Sequence, residues 1–163
     1  MEDKKKILIL ISQEGEKEEI SEKAANRSKL IQIMREINAD CIEIPLSLKI
    51  NILKKIKEFL EHYENEDPIE IERPLPSNDF KLYVNEWDYN YTDVDIHIIM
   101  DLIVAANYMD IKELLELWSA KFASVIKRET SEEIRKDYNI TTDFTPEEEQ
   151  RILEENKWAF ENI

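Results

Sequence analysis

Apolar and polar positions change their period along the chain. Lys6 to Ile11 is an apolar, β-branched run that reads as a strand, and a turn over Gln13 to Lys17 around Gly15 leads to a second short strand near Glu18 to Ile20. Ser21 can cap a short helix. Leu30, Ile33, Met34 and Ile37 then recur at helical spacing, which predicts an amphipathic core helix over Lys29 to Ile37 with all four on its buried face. Cys41 to Leu46 alternates loosely around Pro45 and reads as a third short strand. Ile50, Leu53, Ile56, Phe59, Leu60 and Tyr63 mark another amphipathic helix. Later segments are all helical in pattern: roughly Asp79 to Asp88, Asp95 to Tyr108, Ile111 to Lys127, Ser131 to Tyr138 and Glu147 to Glu161. The helix from Asp95 is apolar on nearly every side, so it is either centrally buried or keeps a face for a partner.

Two stretches depart from this pattern. Glu64 to Asp79 holds Pro68, Pro74 and Pro76 and six acids against Arg73 alone, a composition that predicts an exposed loop burying little. From Glu129 to Ile163 there are 11 acids and 4 bases, a net charge of −7. Both helices there open with capping boxes, Thr130 with Glu133 and Thr145 with Glu148, the second reinforced by Pro146. Their starts are well encoded, yet their apolar residues are too sparse to build a core. Either this tail packs on a partner, with Phe144 and Trp158 as anchors, or both helices fold back on the domain.

Charge and composition narrow the chemistry. The chain carries 37 acids against 22 bases, a net charge of −15, and no basic stripe, which argues against nucleic acid as a partner. Gly15 is the single glycine, so glycine-rich phosphate cradles are excluded. Ile7 to Ser12 is too short for a signal peptide, and Ile96 to Met109 falls short of the ~20 residues of a membrane span, so an intracellular chain without a membrane role is expected. Cys41, His62 and His97 make no convincing metal set, and no metal or cofactor is expected. As candidate bases His62 and His97 stand outside any catalytic motif. Cys41 has no cation or helix start beside it to activate a thiolate. A small acidic hydrolase using His97 or Cys41 remains the enzyme alternative, and no catalytic residue is assigned.

Several longer motifs point elsewhere. Residues 105 to 115 read AANYMDIKELL, followed by SEEIRKDYNI at 131 to 140, DFTPEEEQ at 143 to 150 and ENKW at 155 to 158. Together they strongly resemble the Skp-type adaptor of SCF (Skp, cullin, F-box) ubiquitin ligases. The passage IPLSLKINILKKI at 44 to 56 is similar to the same family's strand-to-helix junction, so the resemblance covers most of the chain from Ile44 onward. The acidic hairpin, Ser47 and the bulky Trp118 and Phe122 depart from the family's usual pattern, the last two in a way expected to alter partner fit.

The resemblance implies an α+β fold: a BTB/POZ-like domain over residues 1–128, with a small three-stranded sheet flanked by helices and an acidic loop at 64–79. A C-terminal helical extension over 129–163 would bind F-box proteins. It further implies a non-catalytic adaptor between F-box substrate receptors and a cullin, in the cytoplasm and nucleus, and leaves a weak homodimer of the free protein open. The matching cullin-binding positions are Asn107 and Tyr108, unless Asn107 merely caps its helix. The F-box-binding positions would be Ile99, Ile103, Ser119, Phe122 and Val125, then Tyr138, Ile140, Phe144, Ile152, Asn156 and Trp158, unless the tail residues pack within the chain. A structural subunit of an F-box complex without a cullin, serving chromosomes or membrane recycling, is the alternative.

Overall fold

A computed structural model describes residues 6–75, 77, 79–127, 129–140 and 144–157, residue 149 through its backbone alone. The chain separates into two compact units, Met1–Lys127 and Arg128–Ile163.

In the first unit β1 (Ile7–Ile11) and β2 (Lys17–Ser21) form the expected hairpin, antiparallel with Ile9 opposite Glu19. Its turn places Gly15 at φ 83°, a conformation that favours a residue without a side chain. β3 (Glu43–Pro45) pairs parallel to the other edge of β1, Ile9 against Glu43, giving the order β2-β1-β3. A parallel neighbour needs a crossover, and α1 (Glu22–Ala25) and α2 (Lys29–Ile37) supply it. Pro45 fits because β3 is an edge strand. Strand alternation buries Leu8, Leu10, Ile20 and Ile44 in the core. α3 (Ile50–His62) packs on β2 and on α5 (Ile96–Tyr108), which in turn lies along α6 (Lys112–Ile126). The result is the α+β arrangement expected of a BTB/POZ-like domain. Ile52, Leu53, Ile56, Phe59 and Leu60 are all buried, and each such side chain contributes roughly 1.5–3 kcal/mol of transfer free energy.

Several expectations change. The buried face of α2 is rotated: Ile31 is fully buried and Leu30 and Met34 pack partly on the core, while Ile33 is exposed and Ile37 is 82% exposed. The end of α5 meets the start of α2, where the Ser28 hydroxyl and the Leu30 N–H both donate to the Met109 carbonyl. Residues 79–88 are not one helix but a short 3-10 turn, Phe80–Leu82, and then α4 (Glu86–Tyr91), because Asp79 and Asn85 each cap a separate start. Trp118, read as a feature of partner fit, is fully buried and meets Tyr91 at 5.2 Å between ring centroids.

The loop after α3 is irregular, as its prolines require, but it does not bury little. Ile71 is buried and Leu75 packs against the core. The Arg27 guanidinium ties its start by donating to the carbonyls of Tyr63 and Glu66.

In the second unit α7 (Ser131–Asp137) and α8 (Pro146–Glu155) both start in the capping boxes read from the sequence. α8 ends at Glu155 with Asn156 as its cap, and of the expected helix from Glu147 to Glu161 residues 158–161 lie outside the described residues.

Candidate functional site

The end of α5 is shaped by its own closing turn. Asp110 takes a left-handed conformation at φ 50°. The Asp110 N–H donates to the Asn107 carbonyl and the Ile111 N–H to the Ala106 carbonyl, the bond pattern of a Schellman motif with aspartate in the place glycine usually takes. Asn107 therefore serves the helix end through its carbonyl, and its side chain stays exposed. That answers the capping alternative: the cap is Met109, not Asn107. Tyr108 is exposed over part of its ring, and its hydroxyl accepts from the Ser47 N–H at 3.3 Å, tying α5 to the passage after β3.

One turn earlier Val104 is 69% exposed, at i−3 and i−4 from the pair, so an aliphatic, an amide and an aromatic side chain share one stripe. Lys49 and Asp101 border this stripe at 3.5 Å. Sequence reasoning passed over Val104. Its signal was present, since a helix apolar on nearly every side must leave some apolar residue outside when only Ile99, Leu102, Ala105 and Ala106 are buried.

The positions carried over for F-box binding divide by burial. Ile99 is 1% exposed and belongs to the core, so it can support a docking face only from beneath. Ile103 and Phe122 are partly buried and pack against that core. Val125 is half-buried and Ser119 is exposed on α6.

In the second unit Tyr138 caps α7, and Asn139 follows at φ 56°. The Ile140 N–H donates to the Arg135 carbonyl at 2.9 Å, a second Schellman closure without glycine. Burial, reinforced by the carboxylates of Glu129 and Asp137, raises the pKa of the Tyr138 phenol. Ile140 and Phe144 are exposed, and Ile152 is half-buried on α8. Asn156 closes α8 through its side-chain amide, which donates to the Ile152 carbonyl at 2.8 Å. Trp158 lies outside the described residues.

The residues weighed for catalysis are engaged otherwise. The His62 ring stacks on Trp87 at 3.6 Å, His97 stands exposed in the first turn of α5, and the Cys41 thiol donates to the Glu43 carbonyl. Among the described residues no three of His, Cys, Asp and Glu are grouped so as to hold a metal ion, and no helix is long and apolar enough to cross a membrane.

Comparison with known proteins now bears on these surfaces. The pattern described as "Skp1 family, dimerisation domain" matches residues 112–159, from α6 through α8. The S-phase kinase-associated protein 1 homolog of Tetrahymena thermophila is 45% identical over 154 residues, 93% of each chain. The chain belongs to the Skp1 family. Two further relatives extend the kinship to other lineages. The E3 ubiquitin ligase complex SCF subunit sconC of Arthroderma benhamiae is 39% identical over 94% of this chain and 95% of its own. SKP1-like protein 12 of Arabidopsis thaliana is 38% identical over 96% and 98%. Likeness over 93–96% of the chain also takes in most of the first 40 residues, where the motifs had matched in pattern only.

Proposed function

We propose that this Skp1-family chain is the non-catalytic adaptor subunit of an SCF ubiquitin ligase. It holds a cullin at the end of α5 and an F-box substrate receptor with α6 and the residues after Glu129. The observation that carries this reading is kinship of 38–45% identity, over nearly the whole chain, to relatives two of which are named as Skp1 homologues and one as an SCF subunit.

The geometry supports separate roles for separate surfaces. On the cullin side Asn107 and Tyr108 sit on a helix end fixed by backbone bonds, and Val104 extends the patch. A stripe held by a closed helix end loses little conformational freedom on binding. On the F-box side Ile103, Phe122 and Val125 offer apolar surface on the first unit, and Ile140, Phe144 and Ile152 offer it on the second. The adaptor makes and breaks no bonds. It raises the effective concentration of a receptor-bound substrate near a cullin-bound ubiquitin-transfer machinery, and rigidity is what it contributes. Engagement of His62 with Trp87 and of Cys41 with a backbone carbonyl agrees with a non-catalytic role.

Tagged purification followed by reconstitution tests this. The full chain should bring down a cullin and F-box proteins together, and deleting residues 129–163 should abolish F-box capture while sparing the cullin. Recovery of F-box proteins without any cullin, repeated with purified components, would sink the linker role.

A further inference from the structure

A cavity of about 180 Å³ is lined by the Pro68–Ile71 stretch, the first half of α6 and Asp88 of α4. Its size is close to the roughly 150 Å³ that admits a guest of six carbon atoms. Asp88, Leu117 and Ile71 form its buried lining, at 2%, 4% and 8% exposure. Glu70, Lys112 and Glu113 are exposed and so stand at its mouth.

The Asp88 carboxylate is only half satisfied. Its Oδ2 accepts from the Tyr63 hydroxyl at 2.7 Å, and that hydroxyl accepts in turn from the Asn85 side-chain amide at 2.9 Å. Its Oδ1 is shut off from solvent and accepts no hydrogen bond from any described residue. A buried carboxylate oxygen calls for a donor. The nearest cations are committed elsewhere, since Arg73 pairs with Glu116 and Lys112 lies 3.9 Å from the same carboxylate. That leaves Glu70 and Glu113 to make the mouth negative, which draws a cation inward.

The shape of the site narrows the cation. A guanidinium fork is matched to both oxygens of a carboxylate, whereas a single free oxygen suits the point charge of an ammonium. Pro68, Ile71 and Leu117 offer apolar wall to the methylenes behind such a charge.

We propose that this cavity binds a primary alkylammonium, its charged end on Asp88 Oδ1 and its methylenes between Ile71 and Leu117. The site goes beyond the adaptor reading and does not depend on it. Either a free alkylamine or the tip of a partner's lysine side chain carries this group, and the test separates the two.

The isotope-labelled full chain is titrated with n-butylammonium chloride and followed by NMR, with n-butanol and n-propylguanidinium as comparators. Saturable shifts centred on Asp88 and Leu117 are expected for the ammonium, with a dissociation constant on the order of 1 mM, as suits so small a ligand. The guanidinium should bind more weakly and the alcohol should not saturate. Bound ammonium should also lower the Asp88 pKa, which burial raises, and the alcohol should leave it in place. Asp88→Asn should weaken binding by about tenfold or more. Glu70→Gln with Glu113→Gln, both at exposed positions, should weaken it by about threefold at low salt and less at high salt. If Asp88→Asn fails to fold, this double variant and the alcohol comparison decide. A lysine-bearing peptide that binds as well as the amine supports the site and gives it to a partner's side chain. Binding of the amine alone supports it as a site for a free ligand. No saturation well above the expected constant, equal shifts from the alcohol, or undiminished affinity in a folded Asp88→Asn would overturn the proposal.

Discussion

Helix α5 of the first unit and α7 of the second are ended equally well, but they are held by different forces. Both α5 and α7 start at a side-chain cap and finish in a Schellman closure made by a non-glycine residue, Asp110 in one and Asn139 in the other. In the first unit Leu53, Phe59, Leu102 and Trp118 then lose all their solvent contact. In the second, no described residue is buried, and the most covered ones, such as Ile134 and Ile152, are only half so. Caps and closing turns specify where a helix begins and ends, at about 1 kcal/mol each. They do not hold helices to anything, and only burial on a core or a partner does so.

The largest break in this comparison should come from the core. Trp118→Ala removes a fully buried indole and should cost about 3–5 kcal/mol in denaturant unfolding. Phe144→Ala, an equally drastic truncation in the second unit, should leave that transition unmoved. If both shift the midpoint alike, the two units do not differ in the way described.

Next in size is the patch at the end of α5. Asn107→Lys with Tyr108→Lys places desolvated charge there and should weaken cullin binding by about 2–5 kcal/mol, with F-box capture and melting temperature preserved. Near-normal cullin affinity in a binding titration would remove the site. Val104→Lys should act in the same direction and leave the core intact, since that side chain is already mostly in solvent.

A smaller effect is expected at the tail's own start signals. Thr145→Ala removes the hydroxyl that accepts from the Glu148 N–H and should lower the local stability of α8 by about 1 kcal/mol. Helicity by circular dichroism should fall slightly while the first unit's unfolding stays in place. An unchanged helical signal would mean that something other than the cap holds the helix.

The finest contrast lies in acid response, between the capping carboxyls of the second unit and the buried Asp88 of the first, which shift in opposite directions. Hydrogen bonds from the backbone and hydroxyl of Thr130 and Thr145 hold Glu133 and Glu148 below the usual carboxylate range. Capping stabilisation is therefore present above the ordinary pKa of 4.5 and is lost as pH falls through the lowered value. Burial pushes Asp88 the other way, against the hydrogen bond it accepts from the Tyr63 hydroxyl at 2.7 Å. Its contribution is greatest below the ordinary pKa of 3.8 and is lost as pH rises through the raised value. Carboxyl titrations followed by NMR should place Glu148 below 4.5 and Asp88 above 3.8, and a reversed order would contradict the arrangement.

Much of this was legible in the residues. Period and caps located α3, α5, α6 and the starts of α7 and α8, because those signals act within one or two turns. Asn107 and Tyr108 came from the resemblance carried by a long motif, and the structure sets their side chains at the surface. Val104 and the packing of Ile71 and Leu75 were missed. The first is one aliphatic among many on its helix, and the second sits in a stretch whose prolines and acids look like solvated loop.

By itself the sequence determined most of the kinds of element, the starts of α7 and α8 and the family, since propensity, capping and motif identity are properties of neighbouring residues. Only the tertiary structure decided which face of α2 is buried, that Trp118 is core, and that the acidic loop leans on α6. It also decided how α3 begins. Its N-cap, Lys49, makes no side-chain capping bond, and the first-turn N–H of Ile50 donates instead to Glu14 in the distant β1–β2 turn at 3.0 Å. Each of these depends on groups brought together from far along the chain, and burial and charge pairing act through space, where spacing in sequence carries no information about them.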